Sequence, residues 1–145
     1  MSSIDQTSIK VRDYMARSPA ALRPEQSVEE AARIMIKNGF SGMPVTNDDG
    51  MLIGIVSEHD CIRALLECTY HEQVGVCGLV RDSMRTEVDT VNIDDDIIEV
   101  SQRIIKEHKR RYPVLDDGRL VGQISRRDLM RALVEASTAN TRAGT

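Results

Sequence analysis

Short apolar runs broken by polar turns alternate along the chain with longer mixed segments, and the whole alternation occurs twice. In the first pass a "VRDYM" turn leads to a brief strand around 20–22, and a helix follows, opened by Ser27-x-x-Glu30. Two strands come next, 42–46 and 51–56, separated by "NDDG", and a final helix covers about 58–67. In the second pass "VRDSM" leads to a strand around 89–91 and a helix opened by Asp96-x-x-Glu99. Strands 111–115 and 119–124 then flank "DDG", and a helix runs from 126 to 136. Each assignment has a local cause. Ser or Asp at a helix start, with Glu three residues on, satisfies orphan N–H groups reciprocally. Asp-Gly between β-branched runs is a strong hairpin signal.

The two passes are one pattern duplicated. A shift of 69 residues lays Val11-Arg12-Asp13-x-Met15 on Val80-Arg81-Asp82-x-Met84, and Pro44-Val45 on Pro113-Val114. Asn47 has no counterpart. Past it, Asp48-Asp49-Gly50, Leu52, Gly54, Ser57, Asp60 and Arg63-Ala64-Leu65 match Asp116-Asp117-Gly118, Leu120, Gly122, Ser125, Asp128 and Arg131-Ala132-Leu133. Each half reads β-α-β-β-α, an α+β arrangement. A unit of that size makes a marginal core alone. Two halves burying their sheet faces against each other, with pseudo-two-fold symmetry, are therefore expected. The boundaries read as a tail at 1–10, a first repeat at 11–68, a connecting segment at 69–78, a second repeat at 79–136 and a frayed tail at 137–145.

Composition narrows the class. The chain has 145 residues, 41% hydrophobic and 29% charged, with no Trp and one Phe, so its core is aliphatic. The net charge of −4 and the scarcity of aromatics argue against a dedicated nucleic-acid binder. The N-terminus is polar and lacks the apolar stretch of a secretory signal. The run "MLIGIV" is far too short to span a bilayer. Three cysteines without framework spacing (Cys61, Cys68, Cys77) read as reduced thiols, and the expected location is the cytoplasm.

A hydrophobic-Pro-Val strand, an Asp-Gly turn, a Gly-hydrophobic strand and Ser-x-x-Asp opening a helix, all duplicated, resemble the CBS-domain pair named after cystathionine β-synthase. The likeness covers residues 11 to 136. It implies a stand-alone regulatory module whose inter-half cleft binds an adenosine-containing ligand: AMP, ADP or ATP foremost, with S-adenosylmethionine or NAD as alternatives. It further implies a homodimer and a regulated partner protein, with no cofactor and no catalysis.

The residues supply the chemistry for such a ligand. A ribose diol presents two O–H donors, and a carboxylate accepts both. Asp60 and Asp128 stand one turn into their helices, where they can play this role. Ser57 and Ser125 stand at the N-caps, beside N–H groups that favour phosphate. Both residue types are also ordinary helix stabilisers at these positions. By the resemblance, the base lies against Pro19-Ala20 with Gly42-Met43-Pro44, and against Val88-Asp89 with Arg111-Tyr112-Pro113. Tyr112 can flank a purine, and Met43 offers a soft apolar wall, although both fit a core equally well.

Charge separates the copies. "SEHD" places Glu58 and His59 at a helix start, whereas "SRRD" places Arg126 and Arg127 there, against the macrodipole. Arg110 and Arg111 lie upstream. A mis-signed pair beside a second Arg pair points to an anion, so the second repeat is the favoured site for phosphates. The first is expected to be weaker, to hold an uncharged adenosine, or to stay empty.

Other chemistries fare less well. His59 and Cys61 lie two apart on a helix and do not face each other, so no nucleophilic pair is assigned. Cys68-x-x-His71 with Cys77 offers three zinc ligands, but at no standard spacing, and no metal is assigned. A ligand-independent interaction or dimerisation module remains the alternative.

Overall fold

The computed structural model describes residues 8–70 and 77–144. A 3₁₀ turn at Val11–Asp13 precedes β1 (Ala16–Arg17), α1 (Val28–Asn38), β2 (Gly42–Thr46), β3 (Leu52–Ser57) and α2 (Glu58–Tyr70). The second pass comprises α3 (Val80–Ser83), β4 (Val91–Asn92), α4 (Ile97–Glu107), β5 (Arg111–Asp116), β6 (Arg119–Ser125) and α5 (Arg126–Gly144). The last helix therefore runs past 136, where a frayed tail was expected. The anticipated strand at 20–22 reduces to a single bridge, Leu22 beside Val45.

The chain forms two compact units, and these are not the two sequence repeats. One is Ala20–Val88; the other joins the described residues up to Pro19 with those from Asp89 onward. Each unit holds one repeat's hairpin and helices together with the other repeat's "VRDxM" lead-in.

In the Ala20–Val88 unit, β2 and β3 pair antiparallel, with Met43 opposite Val56. Arg85 bridges to Ile55 on the far edge of β3. Leu22, Val28, Met35, Met43, Val45, Val56, Cys61 and Val80 are buried together. The lead-in is docked by backbone hydrogen bonds: Val28 N–H to Gly78 O (3.1 Å), Val80 N–H to Gln26 O (2.8 Å) and Arg81 N–H to Pro24 O (3.1 Å).

In the other unit the sheet runs β1-β6-β5-β4, with β4 parallel to β5 and Ala16 of β1 opposite Gln123 of β6. Val11, Met15, Val91, Ile97, Val100, Tyr112, Val114, Ile124 and Leu129 are among its buried residues. The same three bonds recur 69 residues away: Ile97 N–H to Ile9 O (2.9 Å), Val11 N–H to Asp95 O (2.9 Å) and Arg12 N–H to Ile93 O (3.0 Å).

This docking explains why "VRDxM" is repeated. Val11 and Val80 are fully buried plugs. Asp13 and Asp82 accept from the Lys10 and Leu79 backbone N–H groups (3.2 and 3.1 Å), closing the turn. Met15 and Met84 lie against the glycines of the opposing strand. A Cβ on Gly122 would stand 2.8 Å from Met15 Sδ, and one on Gly54 would stand 2.7 Å from Met84 Sδ. The matched Met and Gly are two halves of one contact.

Two local expectations need adjustment, at Asp96 and at the cysteines. Ser27 Oγ accepts from Glu30 N–H (3.1 Å) as foreseen, but Asp96 makes no cap bond, and its carboxylate takes the Ser8 hydroxyl (3.5 Å) instead. The unmatched Asn47 folds its own turn, its Oδ1 accepting from the N–H groups of Asp49 and Met51 (3.0 Å each). The second hairpin turns in two residues, Asp117 and Gly118, both at positive φ, as a tight twisted turn requires. Finally, Cys68 and Cys77 are joined in a disulfide, against the reading of all three cysteines as reduced thiols; Cys61 is free and buried.

Candidate functional site

Each repeat builds the same knot where its hairpin ends and its last helix starts. Ser57 donates to Asp60 Oδ2 through its N–H and its hydroxyl (2.9 Å each), and its Oγ accepts from Asp60 N–H (3.2 Å). Ser125 and Asp128 repeat all three contacts at 3.0, 3.0 and 3.2 Å. The first helical N–H is taken as well, Glu58 by Ser41 O (2.9 Å) and Arg126 by Arg110 O (3.0 Å). The helix-stabilising role of Ser and Asp is thus present in both copies. It fills Oδ2 and leaves Oδ1 as the atom that can face a ligand. Arg63 and Arg131, one turn further on, stand 3.7 Å from that oxygen in their respective copies.

One residue breaks the equivalence. Arg85 aims its guanidinium at Asp60 Oδ1, with Nε and a terminal nitrogen both at 3.4 Å. The residue 69 positions earlier is Ala16, which has no side chain to offer Asp128. The Asp60 side chain is 2% exposed and that of Asp128 17%. Burial pushes the Asp60 carboxyl up. The two Ser57 hydrogen bonds and the Arg85 charge outweigh it, so the net shift is below the ordinary carboxylate value.

The positions assigned to the base divide between surface and core. Met43 and Tyr112 are both buried, so of the two roles open to each the structure takes the core. Tyr112 donates its hydroxyl to Glu107 Oε1 (2.8 Å), and Arg103 stacks over its ring at 4.6 Å. Its phenol is pushed up to about 12 by burial and by the Glu107 carboxylate. Glu107 in turn is held below its usual value, first by the Tyr112 hydrogen bond. Pro44 and Pro113 are buried beside them, and Gly42, Pro19 and Val88 are half-buried. Ala20 is exposed, and the exposed Asp89 pairs with Lys109 Nζ (3.1 Å).

The cationic cluster also separates into roles. Arg126 donates from Nε to Lys109 O (2.6 Å), tying the helix start to the segment that leaves α4. That bond answers part of the mis-signed pair: Arg126 has a structural task. Arg110, Arg111 and Arg127 are exposed and form no ion pair among the described residues. His59 is exposed too. Cys61 is buried, and desolvation, then Asp60, holds its thiol protonated, which removes it as a nucleophile. The disulfide consumes both thiols of the Cys68-His71-Cys77 set, and His71 lies outside the described residues.

Sequence reasoning passed over Arg85 and Glu107. Arg85 was within reach: it sits one residue beyond the "VRDxM" motif, where the repeat alignment pairs Arg with Ala. Glu107 carries no comparable signal.

Known proteins share this fold. The sequence profile of the CBS domain matches residues 11–67 and 80–135. The protein MJ1225 of Methanocaldococcus jannaschii is 28% identical over 123 residues, a match covering 85% of this chain and 42% of that protein. The chain therefore spans less than half of that relative. The crystal structure of CBSX2, an Arabidopsis thaliana protein, in complex with AMP superposes at TM-score 0.73 with 25% identity, covering 88% of this chain and 98% of the other. The CBS domain pair of MJ0100, solved with 5′-methylthioadenosine and S-adenosyl-L-methionine, superposes at TM-score 0.68 with 26% identity and the same coverage. Among the described residues, no helix is long and apolar enough to cross a membrane.

Proposed function

The chain belongs to the CBS-domain family, and from that premise we propose that it is a regulatory module that binds an adenine nucleotide beside the Ser125–Asp128 helix start. The observation that carries the reading is Asp128 Oδ1, which has Arg131 at 3.7 Å but accepts no hydrogen bond among the described residues, together with Arg110, Arg111 and Arg127, which are exposed and form no ion pair among those residues. A carboxylate oxygen free of strong donors can accept the ribose hydroxyls. Arg110, Arg111 and Arg127 supply uncompensated positive charge for phosphates. Two relatives above 24% identity were solved with adenosine-containing molecules, AMP in one and S-adenosylmethionine with methylthioadenosine in the other. The arginine surplus favours AMP, ADP or ATP over the sulfonium ligand. The module signals to a partner protein through a change in conformation on binding, without catalysis of its own.

Calorimetric titration of AMP, ADP, ATP and S-adenosylmethionine into the wild type, Asp60→Ala and Asp128→Ala tests the site. Asp128→Ala is expected to lose the tightest binding event. Unchanged nucleotide affinity in that variant would refute the assignment.

A second reading rests on exposed apolar surface. Ile105, Met130, Leu133 and Val134 are 74%, 62%, 41% and 58% exposed, and with Ile104 and Leu129 they line a groove of about 710 Å³ between α4 and α5. The matching positions of the other unit, Ile36, Ile62 and Leu66, are 81%, 61% and 63% exposed. Apolar positions repeated in both units are a duplicated surface that needs cover. A second copy of the chain, presenting the same faces, is the occupant proposed, which makes the protein a homodimer. Sedimentation of Ile36→Asp/Ile105→Asp as a monomer and of the wild type as a dimer is the expected result. If no adenosine ligand raises the melting temperature, the protein is an interaction module only, because binding to the folded state must stabilise it.

A further inference from the structure

We infer that Arg85 is an internal occupant of the first repeat's site, holding Asp60 Oδ1 where a ribose hydroxyl would otherwise donate, and so sets which of the two repeats takes ligand. The inference rests on the nucleotide-binding reading above and names the residue that ranks its two sites.

The two knots form a matched pair. The serine N–H, the serine hydroxyl, the returning helix N–H and the arginine one turn on agree between copies to within 0.1 Å. The surrounding backbone agrees as well. Arg85 faces Ile55 of β3 as Ala16 faces Gln123 of β6. Among the described groups that reach Oδ1, the arginine one turn on is common to both copies and the lead-in residue is what differs. Where it is Arg85, Oδ1 is satisfied and the carboxylate is sealed to 2% exposure; where it is Ala16, the carboxylate is 17% exposed.

The chemistry is that of competition for one acceptor. Oδ2 accepts from both the N–H and the hydroxyl of Ser57, so a diol must use Oδ1. A guanidinium already there must swing away first. Arg85 can do so, since its side chain is 61% exposed and its two bonds are long. The consequence is a graded handicap, about two- to fivefold in affinity for an exposed guanidinium reaching a buried carboxylate.

Reciprocal exchange tests it, with AMP as the probe followed by calorimetry. In an Asp128→Ala background, residual AMP binding belongs to the first repeat, and adding Arg85→Ala is expected to strengthen it about two- to fivefold. In an Asp60→Ala background, Ala16→Arg is expected to weaken the second site by a similar factor. No change in either pair overturns the role of Arg85. A ligand-free readout separates this from failure of the nucleotide reading itself. The Asp60 carboxyl carbon, followed by NMR against pH, is expected to titrate higher in Arg85→Ala and Arg85→Gln than in the wild type. If AMP binds to no variant but the Asp60 titration moves, the nucleotide reading fails while the Arg85–Asp60 contact stands. An unmoved titration removes the contact, whatever AMP does.

Discussion

Asp60 and Asp128 open their helices through the same serine knot, yet one carboxylate is sealed beneath an arginine and the other reaches solvent. The knot is what the duplication preserved, and in both copies it stabilises a helix start. What differs lies one residue outside the repeated motif, at Arg85 and Ala16, on a lead-in that packs into the unit of the other repeat. The surroundings of each knot thus come from one repeat's helix and the other repeat's lead-in, so divergence of either changes them. The two copies can keep the same knot while their carboxylates face different company.

The largest expected effect comes from breaking the lead-in contact that puts Ala16 and Arg85 in place. A Cβ on Gly122 would stand 2.6 Å from Ala16 O, a backbone atom of β1, in addition to Met15. On Gly54 the nearest atom is the flexible Met84 side chain at 2.7 Å, with Arg85 O at 2.9 Å. Gly122→Ala is expected to cost about 3 kcal/mol, and Gly54→Ala less, because the unyielding carbonyl stands at 2.9 Å there against 2.6 Å at Gly122. Urea unfolding measures both. Equal costs would show that the two lead-ins are held with equal tolerance.

The disulfide sharpens the comparison next, because it lies in one unit only. Cys68 lies in the last turn of α2, and Cys77 stands three residues before Val80 in the lead-in; the bond closes a sequence separation of 9. Closing a loop of that size is worth roughly 2–3 kcal/mol on the chain-entropy account. Cys77→Ser, or reduction of the wild type, is expected to lower the melting temperature. Hydrogen exchange should lose protection at the Val80 and Arg81 amides and keep it at Val11 and Arg12. Loss at both lead-ins would mean that the bond braces the whole chain.

Much of this architecture was legible. Period and turn chemistry located both hairpins and all four long helices, because Asp-Gly turns and Ser-x-x-Glu or Ser-x-x-Asp starts act through near neighbours. The exchange of lead-ins was not legible. Val11 reads the same whether it plugs its own repeat or the other, and only the fold decides which core has room. Tyr112 shows a similar limit. Its ring suited a purine or a core, and the decision came from Glu107 and Arg103, which give its hydroxyl and face their partners inside the protein. Arg126 looked like an anion ligand because a cation opposes a helix start. The carbonyl of Lys109 that it satisfies belongs to another element and leaves no trace in local sequence.

A smaller effect separates the carboxylates by stability alone. Asp60→Ala removes the acceptor for two Ser57 bonds and for Arg85 in a buried setting, at an expected cost of about 1–2 kcal/mol. Asp128→Ala removes the matching serine bonds where water can replace them, so its cost is expected to be roughly half that. A reversed order would mean that Arg85 relieves less burial than the sealed geometry implies.

The smallest effect is the dependence of that ranking on pH. The folded-state carboxyl of Asp60 lies below its ordinary value: burial raises it, but the Ser57 bonds and Arg85 lower it further. A carboxyl depressed on folding stabilises the protein above its unfolded value, about 3.9, and that contribution is lost as pH falls through the folded value. Arg85→Ala deletes one of the lowering causes, so it shrinks the contribution without abolishing it. The wild type is therefore expected to exceed Arg85→Ala in stability near pH 6 by under about 1 kcal/mol, since Arg85 is mostly exposed. In urea titrations near pH 2 the difference should narrow as Asp60 takes up its proton and the guanidinium loses its anion. Ala16→Arg is expected to place a like guanidinium beside Asp128 and to gain stability near pH 6. If Ala16→Arg gains nothing at neutral pH, then the lead-in position alone does not seal a carboxylate, and the difference between the two repeats lies elsewhere in their knots.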